Sequence, residues 1–288
     1  MDGRIYSVIS NKKSKDKKAK RVQPYSIEKQ IPHLKGLNRK DKMSIFLGAG
    51  ISVSCGLPDW NSLLDTLKLV IENNGAYLSE SDDIANAARK LLGNRFNTVV
   101  ADCLYGHGLQ VSDSALAVVH SGVKNIVCFN FDDVLEEIFQ TECIKHSIVI
   151  NGGKFNLNND HTTIFHPHGF LGRFDSEQEQ RTNKIILSKS DYDSLYLDHY
   201  CLTNLIQLSM LMTKTVLFIG MSMTDPNIIR LLVEARKIGV WNWHYALMKQ
   251  ISQDESTSET KRLRSIGVDP VWYKDHSDIP RILKQLSM

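Results

Sequence analysis

Four short peptides in this 288-residue chain carry side chains that can do chemistry. The first is "GAGIS" (48–52), where Gly48, Ala49 and Gly50 leave room for a ligand's phosphates to approach the backbone and Ser52 adds a hydroxyl. It lacks the lysine of a P-loop and the third glycine of a G-x-G-x-x-G fingerprint; ligand binding is favoured only slightly over a plain strand-to-helix turn. The second is "FNFDD" (129–133). The Asn130 amide can hold a ribose hydroxyl or a water, and Asp132 either takes a sugar hydroxyl or caps a helix. The third is "HPHG" (166–169). An extended backbone points His166 and His168 the same way, and an imidazole that titrates near neutrality suits a general base. A His-x-His metal site ranks lower, because no further ligand set accompanies it. The fourth is "GMSMTDPN" (220–227), a second glycine turn with Gly220, Ser222 and Asp225, suited to the far end of a long ligand. Helix capping is the default role of Asp225.

These peptides need elements to hold them. "SIFLG" (44–48), "NIVCFN" (125–130), "TTIFHPHG" (162–169), "KIILS" (184–188), "TVLFIG" (215–220), "WHYALM" (243–248) and "VDPVWY" (268–273) read as strands. Helices are expected over 25–35, after the first glycine loop with Pro58 and Asp59 at its start, behind Asp133 and Glu136 as a capping box, over about 190–212, behind Asp225-Pro226, and at the C-terminus. Residues 75–122 show only helical patterns and read as a helical insertion. Strands apolar on both faces alternate with helices, which predicts an α/β fold: a Rossmann-like parallel sheet flanked by helices. In such sheets ligands bind at the carboxyl ends of the strands, and all four peptides fall there.

Composition sets the bounds. The 42% of hydrophobic residues supports a sizeable core. Residues 11–21 (NKKSKDKKAKR) hold seven basic side chains and one aspartate, so the +3 of the whole chain leaves about −3 elsewhere. That block, within residues 1–23, reads as a disordered basic tail capable at most of weak nucleic-acid contact. No apolar run reaches membrane-span length and no signal-peptide core is visible, so a soluble, cytoplasmic protein is expected, with no membrane partner. Cys55, Cys103, Cys128, Cys143 and Cys201 form no C-x-x-C pair, so no zinc spacing exists and no metal is expected.

The ordered set "GAGIS…GLPDW", "FNFD", "HPHG", "LSKSDY" and "FIGMSMTDPN" resembles the bacterial SIR2-like NADase domains, relatives of the sirtuins found in antiphage defence systems. The resemblance runs from residue 44 to about 232, roughly two-thirds of the chain. It implies a single domain over 24–288 that binds NAD⁺ at the sheet edge. Gly48, Ala49, Gly50 and Ser52 would line the phosphate side, and Asp59 would lie in the loop closing over the nicotinamide end. Asn130 and Asp132 match the Asn-x-Asp motif at the nicotinamide ribose, and His168 matches the catalytic histidine. Gly220 and Ser222 match the Gly-x-Ser loop near the adenosine ribose, and Asp225 and Asn227 recur in that peptide.

Three departures from the sirtuins bear on the chemistry. The zinc module of paired cysteines is absent, Asn61 stands where sirtuins have an arginine, and no peptide-binding segment is recognisable. The expectation is therefore an NAD⁺ glycohydrolase with water as acceptor. The alternatives are a sirtuin-type deacylase or ADP-ribosyltransferase, and a non-catalytic NAD- or nucleotide-sensing module. Because a free NADase is toxic to its own cell, the activity is expected to be latent and triggered through a separate protein partner, through self-assembly as a homo-oligomer, or through a hetero-complex.

Overall fold

A computed structural model describes residues 27–75, 77–78, 83–106, 108–150, 160–176, 179, 183–198 and 200–287. The basic block at 11–21 lies outside them. Helix α1 (Ile27–Asn38) leads into β1 (Met43–Leu47), followed by the short α2 (Ala49–Ser54) and by α3 (Trp60–Asn73). Next come α4 (Ile84–Leu92), a 3₁₀ turn at Gly93–Arg95, α5 (Phe96–Tyr105), α6 (Asp113–Val119) and β2 (Asn125–Cys128). Helix α7 (Val134–Thr141) precedes β3 (His146–Ile150) and β4 (Thr162–His166). Helices α8 (Lys189–Leu197) and α9 (Leu202–Thr213), β5 (Thr215–Ile219), α10 (Pro226–Lys237), β6 (His244–Lys249), α11 (Gln253–Ser265), β7 (Val268–Tyr273) and α12 (Asp278–Leu286) complete the described chain.

Seven strands form one sheet in the order β3-β4-β2-β1-β5-β6-β7, with every pairing parallel. Alternation along the strands divides the interior in two. Ile45, Leu47, Ile126, Cys128, Leu217 and Ile219 face a core built with α1, α3, α5, α6, α7 and α12. Phe46, Val127, Val216 and Phe218 face a second core with α9, α10 and α11. β1 is buried along its whole length, as a strand covered on both faces must be. Burying a side chain such as Phe46 contributes roughly 1.5–3 kcal/mol. The elements after β1 join the first core and the helix after β5 joins the second. The loops leaving these neighbouring strands therefore diverge, and a crevice opens between them at the topological switch point.

Three sequence expectations are corrected. "KIILS" (184–188) makes no strand; the Ile186 N–H instead donates to the His168 carbonyl at 2.8 Å, so this buried apolar segment lies along the site loop and not in the sheet. An edge strand, β3, occurs at 146–150, where no strand was expected; its half-exposed pattern lacks the continuous apolar run of the central strands. The single helix expected over 190–212 is two helices. The Asn204 side chain, from α9, donates at 2.9 Å to the carbonyls of both Leu195 and Asp198, satisfying the open end of α8.

Candidate functional site

The glycine loops after β1 and β5 lie back to back. Gly48 N–H donates to the Ile219 carbonyl and Gly50 N–H to the Gly220 carbonyl, both at 3.0 Å. A Cβ on Gly48 would sit 2.7 Å from the Gly220 oxygen, and one on Gly50 would sit 2.8 Å from the Gly220 Cα. Gly220 has φ +66° and itself approaches the Ile51 nitrogen. These glycines thus answer to each other. The two N–H groups expected to meet a pyrophosphate are already bonded, and Gly50 is not among the residues lining the cleft. Gly48, Ala49, Ser52, Gly220 and Ser222 do line it.

The cleft has a volume of about 890 Å³, within the size range of ligand sites. Asn130, Asp132 and His168 all line it, brought together from the ends of β2 and β4. Asn130 Nδ2 donates to the Gly48 carbonyl at 3.1 Å and to Ser52 Oγ at 2.6 Å. The Ser52 hydroxyl in turn bonds the buried Asp132 carboxylate, which also accepts the Val134 N–H at 3.2 Å. With both amide hydrogens committed, Oδ1 is the Asn130 atom left to accept a hydrogen bond from a ligand. Burial pushes the Asp132 carboxyl up to about 6, against the pull of its hydrogen bonds.

The expected capping box behind Asp132 does not form. Asp133 holds Tyr105 Oη at 3.2 Å and the Arg173 N–H at 2.6 Å, while Glu136 turns to His166.

The two histidines part company because β4 ends at His166 and the chain turns. His166 is buried beneath the site: Nδ1 meets the Asn130 carbonyl at 3.2 Å and Nε2 meets Glu136 Oε1 at 2.7 Å. Burial lowers its pKa, but the Glu136 carboxylate and the Asn130 carbonyl outweigh that, and the net direction is upward. His168 lies between two aromatic rings, edge-on to Phe129 at 5.0 Å and to Tyr192 at 5.3 Å. Its Nε2 is buried without a hydrogen-bond partner. Burial takes its pKa down to about 4, with Asp225 and the Phe129 carbonyl opposing. His168 is therefore neutral at physiological pH, with one ring nitrogen uncommitted.

The rims come from three helix starts. Asp59 caps α3 through the Ser62 N–H at 2.8 Å, so Pro58 precedes the cap and lies outside the first turn. Asp225 caps α10 through the Ile228 N–H at 2.9 Å and still faces the cleft. Ser222 Oγ pairs with Thr224 at 2.7 Å. Asn227 turns away from the cleft, to Asn204 and Arg230. The third rim is α8, whose Lys189, Tyr192 and Asp193 line the cleft. The sequence assigns no role to these three, although the "LSKSDY" peptide (187–192) contains Lys189 and Tyr192 and ends beside Asp193. Among the described residues no group of three or more His, Cys, Asp or Glu is placed to hold a metal. All five cysteines are unpaired, and Cys55, Cys103 and Cys128 are buried.

Fold and site together define a Rossmann-like α/β protein with a cleft of about 890 Å³ at the switch point of its sheet. The chain belongs to the SIR2-like domain family, whose sequence profile matches residues 124–271, more than half of its length. It is 26% identical to an NAD(+) hydrolase ThsA of Enterococcus faecium over 86% of this chain and 55% of the relative. It is 24% identical to an NAD(+) hydrolase ThsA of Bacillus cereus (strain MSX-D12) over 73% of this chain and 44% of that relative. The chain thus spans about half the length of the curated relatives it matches. A solved structure described as "Structural Basis for the Mechanism and Regulation of Sir2 Enzymes" aligns over 89% of this chain and 96% of its own, at 13% identity and a TM-score of 0.46.

Proposed function

We propose that this chain is an NAD⁺ glycohydrolase that releases nicotinamide and leaves ADP-ribose. The observation that carries the reading is the convergence of a neutral histidine with an uncommitted nitrogen, a pre-oriented asparagine carbonyl and a buried carboxylate on one cleft. The similarity to proteins named NAD(+) hydrolase supports it.

The chemistry follows from the substrate. Nicotinamide departs from a cationic ring, so the bond breaks without a strong general acid, and the site's work is to stabilise oxocarbenium-like charge and position water. Asn130 Oδ1 accepts from a ribose hydroxyl or from the attacking water. His168 Nε2 takes the proton of the ribose hydroxyl or of that water. Asp132 holds Ser52, and through it Asn130, and adds negative charge near the developing cation. Gly48, Ala49, Ser52, Gly220 and Ser222 line the phosphate and adenosine stretch, with Gly50 supporting it from behind. Asp59 covers the nicotinamide end, and Asp225 sits on the opposite rim.

In this reading NAD⁺ is consumed as a substrate and no metal takes part. The cellular role is NAD⁺ depletion in antiphage defence, held latent until a partner protein or self-assembly releases it. Mass spectrometry of NAD⁺ incubated with the protein should show nicotinamide and ADP-ribose. His168→Ala and Asn130→Ala should each lower turnover by at least about 100-fold while leaving the circular-dichroism spectrum and melting curve near wild type. Undiminished nicotinamide release by both folded variants would sink the assignment.

A further inference from the structure

His166 is a buried titratable group that the proposed chemistry leaves unused. Both of its ring nitrogens face acceptors, the Asn130 backbone carbonyl at 3.2 Å and Glu136 Oε1 at 2.7 Å. A neutral imidazole has one N–H and can donate to only one of them; the imidazolium donates to both. Its side chain is fully buried and that of Glu136 nearly so, so the pair is shielded from solvent and salt. It joins three elements: β4 through His166, α7 through Glu136, and the turn after β2 through Asn130. The turn is the one whose side chain reaches Gly48 and Ser52.

We infer that protonated His166 is a positioning residue, a charged clamp that fixes the Asn130 peptide so that its amide keeps both bonds and presents Oδ1 to the ribose. This rests on the NAD⁺ glycohydrolase reading for its consequence in turnover, but not for the clamp itself. The groups that set its charge are Glu136 on α7 and Asp132 in the β2 turn, both favouring the cation. On its other sides it meets the Phe170 ring, edge-on at 4.8 Å, and the uncharged α9 side chains of Thr203 and Gln207, which share a small cavity with it. The clamp holds while the ring is charged and is lost as pH rises through its folded-state pKa, on the alkaline side of 6.5.

The test has an arm independent of activity. ¹⁵N NMR of the full chain, with the His166 ring assigned through its backbone amide, should show an imidazolium at pH 7; a neutral ring there overturns the clamp. In nicotinamide-release assays of the assembled protein, His166→Gln should lower kcat about 10- to 100-fold and leave KM for NAD⁺ within about threefold of wild type. Glu136→Gln keeps a hydrogen-bonding group but removes the charge, and should move the alkaline limb of kcat to lower pH by about 1 or more. An unchanged kcat in His166→Gln, or an unmoved limb in Glu136→Gln, overturns the inference. If His166→Gln does not fold, the Glu136→Gln limb and the NMR titration decide. If the wild-type protein releases no nicotinamide, the functional reading falls and the NMR arm still decides the clamp.

Discussion

Asp132 is a carboxylate kept from water, and its titration should be visible in turnover. While ionised it accepts the Ser52 hydroxyl, and that hydroxyl is then free to accept from Asn130. Once protonated it becomes a donor, and the relay loses its direction. Burial raises its pKa to about 6, so kcat should fall as pH drops through about 6. Asp132→Asn should lower kcat and flatten that limb in a pH–rate profile. A limb near 4 would assign it to His168, whose depressed pKa lies there. The linkage to stability runs the other way for Asp132. A carboxyl raised above its ordinary 3.8 favours the folded state below about 4, and that contribution is lost as pH rises through about 6. His168, depressed from 6.5, contributes stability above 6.5 and loses it as pH falls through about 4. Asn130, Asp132 and His168 could be picked from sequence because "FNFD" and "HPHG" resemble the family's motifs; a place beside a strand end does not separate His168 from His166, which ends β4. The His166–Glu136 pair could not, since its members lie 30 residues apart and neither stands in a motif that names the other.

At the scale of elements, the central strands and the helices behind them announce themselves by apolar runs and by Asp or Ser caps. The edge strand β3, the extended segment 184–188 and the break between α8 and α9 do not. Each is decided by tertiary hydrogen bonds that a local pattern does not contain. The glycine loops are a related case: their composition suggested ligand contact, yet the spacing between the loops is what demands glycine. Gly220→Ala would combine φ +66° with a Cβ 2.9 Å from the Ile51 nitrogen, and should cost about 1–3 kcal/mol in urea denaturation. Gly36→Ala, inside α1 with nothing within 4 Å of the added carbon, should instead stabilise by about 0.5–1 kcal/mol. Equal effects of the two substitutions would contradict the close-packing account.

For the whole molecule, the parallel α/β architecture was legible from strand and helix alternation, whereas its surface was not. Met212, Ile238 and Trp241 expose apolar side chains, and the Asn242 side chain donates to the Met212 carbonyl at 2.9 Å. No helix among the described residues is long and apolar enough to cross a membrane. Proposed latency belongs at this scale, because assembly and partner binding act through surfaces of the whole molecule. Light scattering paired with NAD⁺ assays over a concentration series should show specific activity rising with assembly or with an added partner. A protein that stays monomeric and fully active across the series would remove latency from the proposal.

The back-to-back glycine loops also constrain traffic. With no space for even a methyl group between Gly48, Gly50 and Gly220, the floor of the cleft cannot part without breaking the seam between β1 and β5. Molecules must therefore enter and leave past the helix-borne rims. The α8 rim is lashed to α4 by Lys189 N–H to Asp83 at 2.7 Å, Ser190 to Asn86 at 2.7 Å and Arg89 to Asp191 at 2.8 Å. In the proposed NAD⁺ hydrolysis, a cycle paced by departure of product would be governed by this polar lashing, which lies far in sequence from Asn130 and His168.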